Sequence, residues 1–272
     1  MASPQLSIVI PAYNESARIE GTLERVMACV AMQGWDAEVL VVDDGSKDAT
    51  AEIVERWMER YSRLHLIKND GNRGKGHSVR NGLLQAGGDV VMFTDADLSA
   101  PMQEANLLMA AIADGADVAI GSRWMDKTRQ TMHQPLYRRF FGRCFNFVTR
   151  MVMGLPFKDT QCGFKAFRRP AAQIIFRLQR IERWGFDPEI LFIARKLGYD
   201  IREVPVTWGH DERSRMSYLK DGMKMLEEMA AIRVNSMAGR YDEDIAALKD
   251  TSAMVTPAVG RVKVSASPQA HG

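Results

Sequence analysis

Cysteine is scarce in this chain, with three among 272 residues. Cys29, Cys144 and Cys162 form neither a disulfide framework nor a metal-type spacing, which points to a reducing compartment. The start, MASPQLSIVI, has no basic region followed by an apolar stretch, so no signal peptide is expected. No run approaches the roughly 18 uninterrupted apolar residues of a spanning helix. Any work at a membrane is therefore expected from outside the bilayer. The five histidines (His65, His77, His133, His210 and His271) do not cluster, which leaves histidine-centred chemistry without support. Aromatic residues make up 8% of the chain and do not interleave with the basic ones, so the stacking platform of a nucleic-acid binder is missing. There is no internal repeat.

The rest is the material of one large domain with appendages: 46% hydrophobic and 26% charged residues, with a sizeable core. The formal charge of +2 hides an asymmetry. Residues 121–183 hold 14 Lys/Arg and 3 Asp/Glu, a local balance of +11. Such a segment suits an anionic partner, or else a solvated face paired with the acidic remainder.

Strand and helix signals alternate over the first 120 residues. Strands are expected at Leu6–Ile10, Glu38–Val42, Leu64–Lys68, Val90–Thr94 and Asp117–Gly121. Between them fall a helix carrying Ile19, Leu23, Val26, Met27 and Val30 on one face, and one over Ala51–Tyr61 with Ile53, Val54, Trp57, Met58 and Tyr61 inward. Two more helices are expected near 76–86 and 103–114. This alternation predicts a mostly parallel α/β sheet covered on both faces, with ligands at the carboxyl ends of the strands. The second part, 121–235, reads as basic helices, a strand at Val204–Trp208 and a Met-rich helix after Ser217. Residues 250–272 lack aromatics and periodicity and are expected to be a disordered tail.

Asp95-Ala96-Asp97 leaves the strand VVMFT, so residues i and i+2 point to one side and both carboxylates reach one spot. Hard oxygen ligands there suit Mg²⁺ or Mn²⁺ bridging to a diphosphate, although Asp-x-Asp by itself also describes a solvated turn. Asp43-Asp44-Gly45-Ser46 likewise ends a strand. Asp44 there can accept hydrogen bonds from a base or ribose, while Ser46 or Asp48 can cap the next helix. Gly71-Asn72-Arg73-Gly74-Lys75-Gly76 matches neither GxxxxGK[ST] nor GxGxxG. It reads as a tight strand-to-helix turn, either purely structural or carrying Lys75 toward donor phosphates.

The ordered blocks PAYNE (11–15), VDDGS (42–46), GKG (74–76), TDADLS (94–99), GSR (121–123) and DTQCGFKAF (159–167) resemble family 2 glycosyltransferases. Within them the likeness is to the branch that makes polyprenyl-phosphate sugars, the dolichyl-phosphate glucosyltransferases in particular. The resemblance implies a GT-A α/β domain over 1–240, with a donor part at about 5–120 and an acceptor part at about 121–235. It implies an inverting, metal-dependent transfer of a hexose from a nucleotide sugar to a polyprenyl or dolichyl phosphate. Pro11, Ala12, Tyr13, Asn14, Glu15, Val42, Asp44, Lys75, Asp95 and Ala96 match donor-site positions, and Asp95 and Asp97 match the metal positions. Arg123 and Arg138 match positions that grip the acceptor phosphate, and Arg215 of Ser214-Arg215-Met216-Ser217 stands where the family has Lys. Ser99 replaces the Gln of mannosyl-type relatives, which favours UDP-glucose over GDP-mannose.

A lipid phosphate is ionised at neutral pH and attacks without a general base. Catalysis then reduces to alignment and charge neutralisation, by the metal on the leaving side and by Asp97, Arg123 and Arg138 overall. Such an acceptor implies peripheral attachment to an anionic membrane surface, expected at the cytoplasmic face, directly or through a membrane-anchored partner. Phe140–Phe157 can insert shallowly, or equally pack on the core. Two alternatives remain. A soluble hydroxyl acceptor would need Asp159 or Asp187 as base; a non-catalytic nucleotide-sugar-binding protein would need no acceptor at all.

Overall fold

The computed structural model describes residues 4–126, 136–209 and 218–255. Seven strands form one sheet in the order β3-β2-β1-β4-β6-β5-β7. They are β1 (Leu6–Ala12), β2 (Ala37–Asp43), β3 (Leu64–Lys68), β4 (Val90–Thr94), β5 (Val118–Ser122), β6 (Phe164–Arg168) and β7 (Ile201–Pro205). All pairings are parallel except those of β6, which runs antiparallel to both β4 and β5.

The apolar strands are buried because helices cover both faces, as a parallel sheet requires. On one face lie α1 (Ile19–Gln33), α2 (Thr50–Met58) and α4 (Ala105–Ala113), contributing Leu23, Val26, Ile53, Val54, Leu108 and Ile112 to a shared core. On the other, α3 (Lys75–Gln85), α6 (Arg169–Leu178) and α7 (Phe186–Lys196) pack Val79, Leu83, Ile175, Phe176 and Ile190 against the sheet. Residues of α8 (Tyr218–Met237) and α9 (Arg240–Val255) extend this second core through Met229, Ile232 and Tyr241, and α5 (Leu136–Met153) packs on α8.

The expected strands and helices of the first half are present, with small differences at their ends. Tyr61 lies beyond α2 and is not inward; it is more than a third exposed and stacks on Trp57 at 5.5 Å. The late strand begins at Ile201 rather than Val204, because pairing with β5 sets the register Val118↔Ile201. Strand β6 was not expected at all. Helix α9 reaches Val255, inside the stretch expected to be a tail, with Tyr241 buried and Ile245 and Leu248 packed on the core; residues 256–272 lie outside the described residues.

Candidate active site

Topology brings the chemistry together. Strand order reverses between β1 and β4, so the crevice at their carboxyl ends is the switch point where α/β sheets bind ligands. PAYNE follows β1 there, and the Asp95 turn follows β4. Because β6 is antiparallel, its amino end meets the carboxyl end of β4, with Phe164 opposite Thr94. Segment 159–163 therefore lies on the same edge as Arg123, which follows β5.

The turn after β4 is held tightly. The Thr22 hydroxyl donates to the Ala96 carbonyl at 2.5 Å, the Leu98 amide to the Asp95 carbonyl at 3.0 Å, and the Ser99 amide to Asp97 Oδ1 at 2.9 Å. Leu98 adopts φ 48°, a left-handed conformation that side chains disfavour and that often accompanies functional turns. Burial, and next the neighbouring Asp95 charge, raise the Asp97 carboxyl above its ordinary value. Asp95 packs flat on Gly163, where an added Cβ would lie 2.2 Å from Asp95 Oδ2. Gly163→Ala is therefore expected to displace the Asp95 carboxylate, lowering stability by about 1–3 kcal/mol through overpacking. Urea unfolding together with Mn²⁺ titration checks this, and unchanged values in both would refute the close-packing account.

Across the crevice, Lys75 opens α3 with its ammonium 2.5 Å from Asp95 Oδ1. Its loop is stapled by Asp44, which is 3% exposed and accepts from Asn69 Nδ2 (2.9 Å), the Arg73 amide (3.0 Å) and the Gly74 amide (2.8 Å). Gly74 adopts φ 113° with the Glu182 carbonyl where a Cβ would stand, so only glycine lets the loop pass. Asp44 therefore shapes the Lys75 loop; that work was not visible in the motif. Just before α2, whose N-cap is Ala49, the Asp48 carboxylate accepts from the Thr50 amide and hydroxyl. Burial alone would raise Asp48, but these bonds and those from Ser16 outweigh it and lower the carboxyl to about 2.

Arg123 is fixed by Asp159. The carboxylate accepts from the Arg123 amide (3.0 Å), Nε (2.6 Å) and Nη2 (2.8 Å), and it is fully buried. The guanidinium also lies 5.8 Å from the Trp124 ring and 5.6 Å from the Trp208 ring. Burial works to raise Asp159, yet the charge and hydrogen bonds of Arg123 hold it below its ordinary value. Beside this pair, Lys165 donates to Asp187 Oδ1 at 2.5 Å and to the Cys162 carbonyl at 2.6 Å, all buried. Burial also pushes the Cys162 thiol up to about 12, which makes it a packing group and not a nucleophile. Asp159 and Asp187, the candidate bases for a hydroxyl acceptor, are thus both buried ion-pair partners, with neither carboxylate open to an acceptor.

Comparison with known proteins bears directly on this arrangement. The family model described as "Glycosyl transferase family 2" matches residues 7–176. This chain belongs to glycosyl transferase family 2. A dolichyl-phosphate beta-glucosyltransferase of Trichomonas vaginalis is 33% identical, covering 84% of this chain and 73% of that protein. The enzyme of that name from Saccharomyces cerevisiae is 34% identical, covering 88% and 77%. Among solved structures, glucosyl-3-phosphoglycerate synthase from Mycobacterium tuberculosis, in complex with Mn²⁺, uridine-diphosphate and glucosyl-3-phosphoglycerate, superposes with a TM-score of 0.62. Identity there is 21%, with 87% of this chain and 80% of that one covered. The fold is GT-A.

In this family 2 chain, Asp95 and Asp97 fit a divalent cation that takes one or two carboxylates and completes its shell from phosphates and water. Asp95 Oδ1 is buried, with the Lys75 ammonium as its cation. Among the described residues, no third His, Cys, Asp or Glu makes an all-protein cage. Of the expected donor residues, Tyr13 is 38% exposed beside the crevice, Asn14 adopts φ 54°, and Glu15 pairs with Arg18 at 2.7 Å. Pro11 and Ala12 end β1, and Ala96 is pinned by Thr22. Val42 departs from the expectation, because its side chain is fully buried against Gly82 of α3 and serves the core. Arg138 sits in the first turn of α5 with its side chain outside the described residues, and Arg215 lies outside them entirely. Sequence reading missed the parts that Gly163, Lys165, Trp208 and Trp184 play, the last with its ring 5.5 Å from the Lys75 ammonium. Gly163 and Lys165 at least fall within the DTQCGFKAF block.

Proposed function

We propose that the chain is an inverting, metal-dependent glucosyltransferase that moves glucose from UDP-glucose to a polyprenyl or dolichyl phosphate. The observation that carries this reading is that, among the described residues, the two candidate bases beside Arg123 are both buried and ion-paired, Asp159 with Arg123 and Asp187 with Lys165. A hydroxyl acceptor needs a base within hydrogen-bond reach, whereas a phosphate arrives already ionised. The names of the relatives support the same acceptor and sugar.

When bound, Mg²⁺ or Mn²⁺ on Asp95 and Asp97 neutralises the leaving diphosphate. Asp159 holds the Arg123 guanidinium in one plane, and Arg123 with Arg138 and Arg215 orients the acceptor phosphate. One phosphate oxygen attacks the anomeric carbon as the bond to UDP breaks on the opposite face, which inverts the centre. Radiolabelled UDP-glucose and GDP-mannose, each offered to dolichyl phosphate with and without Mn²⁺, test the reading. Glucosyl-lipid formed only with UDP-glucose and metal is expected; transfer to a water-soluble hydroxyl acceptor alone would replace it.

Attachment to a membrane surface belongs to the same proposal. Among the described residues, no helix is long and apolar enough to cross a bilayer. Much of the basic segment is used internally: Arg168 donates to the Ile112 and Ala116 carbonyls, Arg169 to that of Gly87, and Arg180 pairs with Asp244. Among the described residues, several apolar side chains stand outward. Phe147 (61%) and Met151 (69%) form one row on α5, and Met223 (62%) and Met237 (75%) stand on one face of α8, beside the rows that α8 buries. Binding to anionic vesicles is therefore expected to persist in high salt, because screening leaves apolar insertion intact. Phe147→Asp with Met151→Asp is expected to weaken it about tenfold or more, at roughly 1.5–3 kcal/mol per apolar side chain. Co-sedimentation measures this, and equal binding of parent and variant would remove α5 from the contact.

A further inference from the structure

We propose that Lys75 is a built-in counter-cation for Asp95, holding the carboxylate pair in the donor-free protein and making divalent-cation binding depend on the nucleotide diphosphate. This rests on the metal assignment above and concerns what the chain's own residues do before the donor arrives.

The ammonium lies 2.5 Å from Asp95 Oδ1 and pairs with it both by charge and as a hydrogen-bond donor. That buried oxygen is therefore not left open to a bare ion. Nor is Lys75 a mobile surface side chain. Its ammonium lies 5.5 Å from the Trp184 ring and 6.0 Å from that of Phe186. Its loop is stapled by Asp44, and Gly76 packs on the Ile181 and Arg183 carbonyls, where a Cβ would come within 2.9 Å. Glu182 adds a bond from Arg73 Nη2 at 2.7 Å on the outer side of the same loop. The charges facing Lys75 are Asp95, Asp187 and Asp97; Asp187 is itself held by Lys165.

A bare divalent ion therefore meets two carboxylates, one of which is already neutralised by a fixed positive charge. A diphosphate changes both sides of this competition. It offers the ammonium a better partner, and it supplies the ion with oxygens that the protein lacks. Metal and nucleotide then bind with positive coupling, and by reciprocity each strengthens the other equally.

The test is Mn²⁺ affinity, read by electron paramagnetic resonance or calorimetry without any acceptor or turnover, in the presence and absence of UDP. The parent is expected to bind Mn²⁺ weakly alone and much more tightly with UDP. Lys75→Met keeps the aliphatic length and removes the charge; it is expected to tighten Mn²⁺ alone by about tenfold, within the 5–150-fold span of site couplings, and to shrink the coupling to UDP. Lys75→Arg keeps the charge and is expected to bind Mn²⁺ alone as weakly as the parent, which separates charge from folding defects. Tight, UDP-independent Mn²⁺ binding by the parent, or no tightening in Lys75→Met while Lys75→Arg stays folded, overturns the proposal and leaves the metal assignment standing. Absence of Mn²⁺ binding even with UDP overturns both.

Discussion

Asp97→Asn is expected to reduce glucosyl transfer at least about a thousand-fold while leaving the protein folded. The size follows from removing several kcal/mol of charge stabilisation at the leaving diphosphate, at about 1.36 kcal/mol for each tenfold in rate. The fold should survive because the Asp97 side chain bonds to Ser99, through its amide and its hydroxyl, on a turn that Thr22 also pins from α1. Asparagine keeps that acceptor and loses the charge, so the comparison isolates the charge. Chelation of the parent protein should give the same loss, and readdition of Mn²⁺ should restore the parent but not the variant. The pH profile carries a further sign. Since burial raises the Asp97 carboxyl, metal loading should increase with pH through that raised value and then level off. A variant that keeps parental turnover in chelator would sink the assignment.

The largest effect on stability is expected at Asp159. Its carboxylate accepts three hydrogen bonds from Arg123, and its own amide donates to Glu203 at 2.7 Å. Asp159→Ala leaves a guanidinium in a pocket built for a pair, which by analogy with broken buried ion pairs lowers stability by about 3–5 kcal/mol. Activity should fall with it, because the carboxylate that accepts from Arg123 Nε and Nη2 together is lost. The pH dependence has a definite direction. A carboxyl held below its unfolded value stabilises the fold above that unfolded value, near pH 4, and the contribution is lost as pH falls toward the folded value. Parent and Asp159→Ala should therefore differ most near neutrality and converge in acid. Urea unfolding at several pH values measures this, and a constant difference down to strong acid would contradict the ion-pair account.

Strands β3 and β4 were legible to the residue, because VVMFT and LHLIK are short, strongly β-forming and bounded by turns. Strand β6 was not, since Phe-Lys-Ala-Phe-Arg places a lysine in its middle. The Cys162 carbonyl three residues earlier and Asp187, brought from α7, make that burial tolerable. Helix α9 hid for a different reason. Its signal, Tyr241 with Ile245 and Leu248 after Gly239, is thin against the acidic run Asp242-Glu243-Asp244. The site divides along the same line. Residues whose work is local to one turn, such as Asp95 and Asp97, stood out in the motif. Partnerships across the fold, such as Arg123 with Asp159 and Lys75 with Trp184, depend on the sheet order and carry no local pattern. Asp159 stood out within the DTQCGFKAF block, but its pairing with Arg123 did not, because a motif gives no sign of which cation a carboxylate will meet.

The antiparallel strand has a consequence for how the chain comes to be folded. β5 pairs only with β6 and β7, both made later in the sequence, and β4 reaches its second neighbour only through β6. A ribosome that has released the first 120 residues has therefore made a four-stranded sheet with one unfinished border and a fifth strand with nowhere to lie. That border is apolar and unpaired, the kind of edge that recruits other chains. Closing it requires pairings distant in sequence, which are slow to form. The nascent chain is thus most exposed to aggregation in the interval between emergence of β5 and emergence of β7. A gene split between donor and acceptor halves would prolong that interval indefinitely, whereas a break in the connection after β7 would leave a finished sheet.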